Sequence, residues 1–498
     1  MERKRADSTD ILLLLEGTFP YVRGGVSSWV KRMIEGFPEQ RFGIIFLGSA
    51  KSDYGRSQPY PLPENVDYFA EYFLYDDGAP LPVKGSGKSA LDAEPIHHAH
   101  LQMRACLQGE VCPLQEHGLA ENFGVSHAEF LHSPAIWDYF LHRYAEISDQ
   151  PPFVDYFWTI RGMHAPLWYL QTALQAAPRA KIFLSPSTGY AGYLGALLAA
   201  RQNRPLLISE HGIYTKERRI DLLLARWIQE DEEFLRRPGQ IHYLRQLWIH
   251  FFEFLGRLAY QQARHVVNLY AGVVPLQLAG GAPAEKLLTI PNGIGVEAFL
   301  PARRAFSQRQ DVIALIGRVV PIKDIKTFIR AAALLRQQGR ATQCWVVGPT
   351  EEDEEYYAEC QVLVEHLGVQ DCLQFLGFRS VVEVLATVRL TILSSISEGL
   401  PLSVLESFAA GVPVVSTDVG SCRELLYGNA STEGEAAAGI IVPIADPKAL
   451  AEAIVALLDN EERWHLCSQN AIARVERQYR EERMFERYRC LFTQALTE

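Results

Sequence analysis

The sequence has no apolar run long enough to cross a membrane. Its most notable runs, residues 11–15 and 192–200, fall far short of the about 20 residues that a membrane helix needs. The first run is also too short for the core of a secretory signal peptide. These two absences predict a soluble, cytoplasmic protein.

Paired cysteine motifs are also absent. The chain has 8 cysteines in 498 residues, and no two of them form a CxxC pair. A disulfide-stabilised protein is typically short and dense in cysteine, so this scatter predicts free thiols in a reducing compartment. The cysteines are Cys106, Cys112, Cys344, Cys360, Cys372, Cys422, Cys467 and Cys490.

A basic excess is missing as well. The chain has 48 Lys and Arg against 59 Asp and Glu, which gives a formal net charge of −11. General nucleic-acid binding needs a basic surface, so that class of function is excluded. The 48% hydrophobic and 21% charged composition excludes a disordered or fibrous chain. A length of 498 residues predicts two or three domains at about 100–200 residues each.

Two α/β patterns follow each other along the chain. The first starts with an apolar strand at residues 10–17, a Gly24–Gly25 turn and a helical face with Val26, Trp29, Val30, Met33 and Ile34. Further strands are predicted within "RFGIIFLGS", "AKIFLSPSTG" and "RPLLISEHG". The second pattern begins with a strand at residues 312–316 and continues with "TQCWVVGPT", "CLQFLGF", "LTILSSISEG" and "VPVVSTDVG". The alternation predicts two Rossmann-like α/β domains with parallel sheets.

The domain boundary is predicted within residues 289–310, where prolines and glycines accumulate. We therefore assign residues 1–300 to an N-terminal domain and 301–475 to a C-terminal one. Residues 476–498 are assigned to a C-terminal helix, with a return to the N-terminal domain as one option. Two regions do not follow the alternation and are interpreted as insertions, at about 49–150 and about 221–263. The aromatic helix in the second region is explained either by core packing or by partner docking.

Two carboxylates flank a predicted helix start in "SEGLPLSVLESFAAG". Glu398 follows a strand, and Glu406 lies about one turn inside a helix that starts near Pro401. A helix N-terminus favours a phosphate, which two carboxylates would repel unless they bind hydroxyls instead. The pattern therefore points to a sugar on one side and a ribose on the other. The alternative is a chance pair of glutamates on a capped helix.

Two cations follow the first strand of the second pattern. Arg318 and Lys323 stand in "GRVVPIKD", in a loop expected at the same edge of the sheet. Two such cations can clamp a pyrophosphate from the side opposite the helix. A single loop cation is commonly just solvated, but the conjunction of the two loops favours a nucleotide-sugar site.

These two loops together resemble those of the retaining nucleotide-sugar glycosyltransferases of family four, which have the GT-B fold. "PNGI" at residues 291–294 and the Gly-Gly turn agree with the resemblance. "LLLEGTFPYVRGGVSSWV" and "SEHGIYTKERRIDL" further resemble the PelF-type subgroup of Pel exopolysaccharide biosynthesis. The resemblance implies two Rossmann-like domains that face a central cleft.

The resemblance also implies residue roles in the C-terminal domain. Arg318 and Lys323 match the clamp on the donor pyrophosphate. Glu398 matches the acid that contacts hydroxyls of the donor sugar, and Glu406 matches the acid that holds the ribose. Pro401 stands where many members have glycine, so amides of Leu402 and Ser403 would have to serve the phosphate.

In the N-terminal domain, Gly24 and Gly25 match the loop that approaches the donor phosphates. His211 matches the histidine near the donor sugar and the acceptor. The residues implied in catalysis are His211, Arg318, Lys323 and Glu398. The residues implied in donor binding are Gly24, Gly25, Arg318, Lys323, Glu398, Gly399, Leu402, Ser403 and Glu406.

The implied reaction is retaining transfer of a hexose or N-acetylhexosamine from a UDP-sugar to a growing polysaccharide. No metal or other cofactor is expected, since the cations can stabilise the leaving diphosphate and the sequence has no DxD motif. Inner-membrane Pel synthase proteins are the implied partners and would place the chain peripherally at the membrane. Two alternatives stay open: a non-catalytic scaffold that binds nucleotide sugars, and a sugar phosphorylase.

Two other patterns are set aside. "GSGKS" at residues 85–89 resembles the end of a phosphate-binding loop, but Pro82 occupies the place of the required first glycine. His97, His98, His100 and His117 lack further ligands at fixed spacing, so solvated histidines explain them better than a metal site.

Overall fold

The computed structural model describes residues 6–55, 59–75, 93–110, 119–147, 151–225, 227–228, 242–428 and 437–497. Cys112, His117 and residues 85–89 therefore lie outside the described residues. The chain divides into two compact units. The first unit comprises Met1–Asn268, Val274–Thr289 and Arg489–Glu498, and the second comprises Leu269–Val273 and Ile290–Tyr488. The division falls between Thr289 and Ile290, inside the predicted linker.

The first unit is built on a parallel sheet, which has seven strands in the described part of the chain. Its strands are β1 (Ser8–Glu16), β2 (Phe42–Gly48), β3 (Val66–Phe73), β4 (Arg179–Ser185), β5 (Leu206–Ser209), β6 (His265–Asn268) and β7 (Leu287–Thr289). Their order is β3-β2-β1-β4-β5-β6-β7. The interior of β1 is buried throughout, as expected for a parallel strand covered on both faces.

Helices cover this first sheet. They are α1 (Gly25–Glu35), α2 (Glu94–Leu107), α3 (Leu119–Asn122), α4 (His127–His132), α5 (Pro134–Ala145), α6 (Phe153–Ala176), α7 (Tyr190–Gln202), α8 (Tyr214–Leu224), α9 (Tyr243–Gln262) and α10 (Val274–Ala279). On α1 the buried side chains include Trp29, Val30, Met33 and Ile34, as the spacing predicts.

The second unit repeats the plan with a six-stranded parallel sheet. Its strands are β8 (Val312–Ile316), β9 (Gln343–Val347), β10 (Leu373–Gly377), β11 (Leu390–Leu393), β12 (Val414–Thr417) and β13 (Gly439–Val442), in the order β10-β9-β8-β11-β12-β13. Ile313 and Leu315 belong to one apolar cluster, and Val312 and Ala314 to another. Because side chains alternate along a strand, both faces of this sheet are covered.

The helices of the second unit follow its strands in alternation. They are α11 (Ile325–Gln337), α12 (Glu354–Leu367), α13 (Val381–Thr387), α14 (Leu402–Ala409), α15 (Cys422–Tyr427), α16 (Pro447–Leu458), α17 (Glu461–Gln478) and α18 (Glu481–Thr497). The last helix begins in the second unit, and its residues from Arg489 onward belong to the first. There, Phe492 packs against Phe37 with 5.3 Å between ring centroids.

Both regions predicted as insertions contain parts of the first sheet's framework. The first, 49–150, includes β3, which pairs with β2 as the edge strand. The second, 221–263, includes α9, which is the crossover between the neighbouring parallel strands β5 and β6. Its residues Leu244, Trp248, Phe251, Phe252, Leu255 and Leu258 are buried, so core packing explains this helix. Residues 226 and 229–241 of that region lie outside the described residues.

The described cysteines are all free thiols, as predicted. Burial raises the pKa of Cys344, Cys360 and Cys422, because an apolar environment disfavours the thiolate. Cys490 is exposed. The buried thiols therefore act as small apolar core residues.

Candidate active site

Both sheets have a topological switch point, where the strand order reverses. In the first sheet it lies between β1 and β4, and in the second between β8 and β11. Ligands of open parallel sheets bind beyond the carboxyl ends of the strands at such a point. The loops that follow β8 and β11 carry Arg318, Lys323 and Glu398, the predicted site residues.

Lys323 and Glu398 are in direct contact. The Nζ atom of Lys323 lies 2.6 Å from Oε1 of Glu398. The side chains are 18% and 12% exposed, so the pair is shielded from most of the solvent. The Ser395 hydroxyl donates a second hydrogen bond of 2.6 Å to the same oxygen. The structure thus joins the basic loop and the carboxylate loop that the sequence singles out separately.

Hydrogen bonds to backbone carbonyls hold the β11 loop against the β8 loop. The Ser394 hydroxyl donates to the Lys323 carbonyl at 2.9 Å, and the Ile396 amide donates to the Ile322 carbonyl at 2.8 Å. On the other side, the Ser421 amide donates to the Gly399 carbonyl at 2.9 Å. The predicted donor-binding residue Gly399 is therefore fixed through its own backbone. These contacts set the position of Glu398 independently of its side-chain partners.

Arg318 turns towards a different acid. It forms an ion pair with Glu352, and the two side chains are 43% and 48% exposed. The loop before it passes close to Gly348: a Cβ atom there would lie 1.9 Å from the Gly317 carbonyl oxygen. Arg318 thus shares a loop with Lys323 but does not contact the Lys323–Glu398 pair in this conformation.

The helix predicted to bind phosphate is α14. It begins at Leu402, after Pro401, and no side chain caps its first turn. Leu402 and Ser403 are half-buried, and their amides stand at the positive end of the helix dipole. Glu406 lies one turn further along and is half-buried. The sequence prediction of its helical position agrees with this geometry.

The predicted glycines of the first unit lie where α1 begins. Gly25 is the first helical residue, and Gly24 precedes it with extended backbone at φ 170°. A Cβ atom at either position would meet nothing within 4 Å. The described residues therefore leave the start of α1 open to a ligand at close range, and α1 has no side-chain cap.

His211 lies in the loop between β5 and α8. Its ring packs edge-on against Trp29 of α1, with 4.4 Å between the ring centroids. Desolvation lowers the pKa of His211 to about 3, so the imidazole is neutral at pH 7. Its buried Nε2 atom has no hydrogen-bond partner among the described residues. The fold thus brings His211 to the helix that starts at the glycine loop.

Family comparisons fit this division of the chain. Residues 9–285 match the family model described as "Domain of unknown function (DUF3492)", which is more than half of the chain. The chain belongs to this family. Residues 297–474 match a second model, described as "Glycosyl transferases group 1". The DUF3492 match lies in the first unit except for Leu269–Val273, and the Glycosyl transferases group 1 match lies in the second.

Two of the curated relatives that the chain matches are glycosyltransferases by name. An MMP alpha-(1->4)-mannosyltransferase from Mycolicibacterium hassiacum is 26% identical over 275 residues, which is 53% of this chain and 59% of the relative. The amylovoran biosynthesis glycosyltransferase AmsK from Erwinia amylovora is 28% identical over 194 residues, covering 37% of this chain and 45% of the relative. The alignments thus span about half of the length of these relatives.

A solved structure covers nearly the whole chain. Anabaena HepE in complex with UDP and glucose aligns over 97% of this chain and 99% of its own, with a TM-score of 0.60 and 14% identity. Such a likeness establishes the fold alone. The predicted architecture, two Rossmann-like α/β domains of the GT-B type, is confirmed.

Within the DUF3492 region, a buried carboxylate escaped the sequence analysis. Glu210 directly precedes His211 and is 3% exposed. It accepts hydrogen bonds from the Tyr260 hydroxyl at 2.6 Å and from the Gln277 amide at 2.9 Å. Desolvation raises the pKa of Glu210 to about 7, against the lowering effect of these bonds. Glu210 therefore connects the His211 loop to α9 and α10 by hydrogen bonds. Its position directly before His211 was the sequence signal that could have identified it.

A second carboxylate of this region was missed as well. Glu16 ends β1 at the switch point of the first sheet. It accepts from the Tyr214 hydroxyl at 2.7 Å and from the Ala191 amide, at the start of α7, at 3.2 Å. Arg218 lies 4.0 Å away. A charged residue at the carboxyl end of a buried parallel strand indicates a ligand site. This criterion would have identified Glu16 from the sequence.

The described residues contain neither a candidate metal centre nor a candidate membrane-spanning helix. In the described ranges, no group of three or more His, Cys, Asp or Glu side chains is arranged to hold a metal ion. His100, one of the set-aside histidines, instead bonds His164 at 2.9 Å inside the first unit. Among the described helices, none combines the length and apolar character needed to span a bilayer. The absence of a metal and the cytoplasmic location stay predictions.

Proposed function

We propose that this protein is a retaining, metal-independent glycosyltransferase. It transfers a hexose or N-acetylhexosamine from a UDP-sugar to a growing exopolysaccharide of the Pel type. The observation that carries the proposal is the contact between Lys323 and Glu398 at the switch point of the second sheet. That contact joins a cation for a diphosphate to an acid for sugar hydroxyls.

The chemistry follows from where charge develops. Cleavage of the bond between the anomeric carbon and the diphosphate places negative charge on the leaving group. Lys323, Arg318 and the amides at the start of α14 supply positive charge on the same unit. Preorganised charges and dipoles of this kind are usually the largest catalytic contribution. Arg318 has to exchange Glu352 for the phosphate, which its exposed position allows at small cost.

Two acids hold the donor's hydroxyl groups. Glu398 is anchored through Oε1, which leaves Oε2 to accept from a sugar hydroxyl. Glu406, inside α14, is assigned to the ribose. Both carboxylates then face hydroxyls rather than the phosphates, which removes the repulsion expected beside an anion site.

The first unit is assigned to the acceptor side and to the reacting sugar. A neutral His211 can take part in a hydrogen bond with a hydroxyl without adding charge. Gly24 and Gly25 have no side chains to cover the backbone amides at the start of α1, and we assign these amides to the donor phosphates. Leaving-group stabilisation by these groups would need no metal ion and no covalent protein intermediate.

The proposal that the acceptor is a polysaccharide is based on sequence similarity. The resemblance of the N-terminal segments to the PelF-type subgroup points to exopolysaccharide assembly. Inner-membrane synthase proteins are proposed as partners on the same basis. UDP as the nucleotide is supported by the HepE complex, which shares the fold.

The deciding experiment measures UDP release from a panel of UDP-sugars, with and without acceptor glycans and with EDTA. We expect turnover of one UDP-hexose or UDP-N-acetylhexosamine that EDTA leaves unchanged. Proton NMR of the first product should show the donor's anomeric configuration. UDP binding without turnover of any donor would contradict the proposal and favour a non-catalytic scaffold. Strict dependence on inorganic phosphate would favour a phosphorylase.

A further inference from the structure

The first unit contains a cavity of about 730 Å³ outside the residues assigned so far to the donor. The ends of three neighbouring strands line its floor: Glu16 and Gly17 after β1, Leu47–Ser49 at the end of β2, and Leu74 and Tyr75 after β3. Helices α6, α8 and α9 form its walls. The volume lies within the range of about 300–1,000 Å³ that is typical of small-molecule sites.

Eight of the residues that line this cavity are aromatic. Two of them, Trp158 and Trp227, are 61% and 63% exposed, although exposed tryptophan is costly in water. Trp227 stands edge-on to buried Trp248, with 5.8 Å between their ring centroids. Broad aromatic surfaces at the border of a cavity suit a ligand with flat, C–H-bearing faces. The negative face of an aromatic ring attracts such polarised C–H groups.

The polar groups of the cavity select a ligand with many hydroxyls. The Glu16 carboxylate is held in place by the Tyr214 hydroxyl at 2.7 Å, with Arg218 at 4.0 Å. The Asp155 carboxylate, which also lines the cavity, has no side-chain partner among the described residues. Ionised carboxylates are acceptors only, so they match hydroxyl donors. Two carboxylates against one guanidinium disfavour a phosphate group and therefore a nucleotide.

Two chain segments that line the cavity also carry the residues predicted as the functional site of the first unit. Gly17 opens the loop that leads to Gly24 and Gly25, and Tyr214 begins the helix that follows His211. The same two segments therefore contribute residues to the cavity and to the predicted site. We propose that this cavity binds pyranose rings of the acceptor glycan, stacked on Trp158 and Trp227 and hydrogen-bonded to Glu16 and Asp155. This inference rests on the proposed function, in which the bound glycan is the acceptor of the transferred sugar.

The test is titration calorimetry of the full chain with neutral tetrasaccharides of glucose, N-acetylglucosamine and N-acetylgalactosamine. We expect one of them to bind, and Trp158→Ala and Trp227→Ala each to weaken that binding at least tenfold. The matched control is Trp137→Ala, a 43% exposed tryptophan outside the cavity lining. It should bind glycan as the unaltered chain does. Melting curves verify folding, and UDP affinity should be unchanged in all three variants.

The outcomes separate this inference from the proposed function. UDP-sugar turnover with no tetrasaccharide bound at millimolar concentration would overturn the cavity assignment alone. Equal glycan binding by the Trp158, Trp227 and Trp137 variants would do the same, as would displacement of the glycan by a fatty-acyl probe. Glycan binding lost in the Trp158 and Trp227 variants, without turnover of any UDP-sugar, would uphold the cavity and reject the transferase.

Discussion

The ammonium group of Lys323 lies 2.6 Å from a carboxylate oxygen of Glu398, although 75 residues separate them in sequence. The two residues follow β8 and β11, which are neighbours in the sheet only because the strand order reverses there. The cation that we assign to the diphosphate and the acid that we assign to the sugar thus meet at one point.

Replacement of Lys323 should abolish most activity. We expect Lys323→Ala to lower kcat by about 100-fold or more, the scale for loss of one charge-stabilising donor. The folded state should survive with a loss of about 1–3 kcal/mol, because Glu398 keeps the Ser395 hydrogen bond. Initial rates of UDP release and a thermal melt measure both effects. Lys326→Ala, on α11, is the control and should retain its rate.

Arg318 should matter for activity and little for stability. Its ion pair with Glu352 is exposed, so Arg318→Ala should change the free energy of unfolding by less than about 1 kcal/mol. UDP affinity and kcat should both fall, since the guanidinium is assigned to the diphosphate. The matched control is Arg330→Ala, which replaces an exposed arginine outside the predicted site. Near-normal rates in both Arg318→Ala and Lys323→Ala would refute the clamp.

Substitutions of Glu406 and Glu398 should have different effects on UDP binding. Glu406→Ala should weaken UDP binding by about tenfold to 100-fold, the scale for losing hydrogen bonds to a charged group. Glu398→Ala should leave UDP affinity close to normal and reduce transfer. Calorimetry with UDP alone measures the first, and donor turnover the second. Exposed Glu383→Ala is the control. Unaltered UDP affinity in Glu406→Ala would refute the ribose assignment.

Gly348 should be intolerant of a side chain. It has φ +153°, and a Cβ atom would lie 1.9 Å from the Gly317 carbonyl, next to Arg318. Gly339 also has a positive φ, +77°, but a Cβ atom there meets nothing within 4 Å. Gly339→Ala should therefore show only backbone strain, of about 1 kcal/mol. Gly348→Ala should lower the melting temperature further and weaken UDP binding. Equal effects would show that the close approach is unimportant.

Glu210 should make stability fall as pH rises. Burial raises its pKa from 4.5 to about 7 in the folded state, so between these values the folded chain binds more protons than the unfolded one. The stabilisation is full below pH 4.5 and is lost as the pH rises through about 7. Buried His211 acts in the opposite direction, because its folded pKa is lowered to about 3.

The comparison with Glu210→Gln isolates this effect. The variant cannot titrate there but retains an oxygen for the Tyr260 hydroxyl. Melting temperatures of both chains, taken from pH 4.5 to 8, should therefore differ by an amount that depends on pH. We expect the unaltered chain to lose more stability over this range. A difference independent of pH would show that Glu210 is ionised throughout.

Strands with uninterrupted apolar runs were predictable from sequence. β8 was predicted with its observed bounds, and the strands around it were recognised too. The missed strands are short or half-exposed. β7 has only three residues, β13 is half-buried at its two central positions, and β3 is half-buried at five of its eight positions. β6 was missed although it is buried throughout and is as long as the recognised β5. Aromatic neighbours then made β3 look like part of an insertion.

The sequence by itself determined the two α/β patterns and the polar residues that end their strands, because periodicity and turn residues are local properties of the chain. Only the tertiary structure decided which polar groups meet. Glu16 and Tyr214 are 198 residues apart, and Glu210 joins Tyr260 and Gln277. The order of strands in a sheet sets such contacts. That order is fixed by burial of apolar faces over the whole unit, which no local pattern contains.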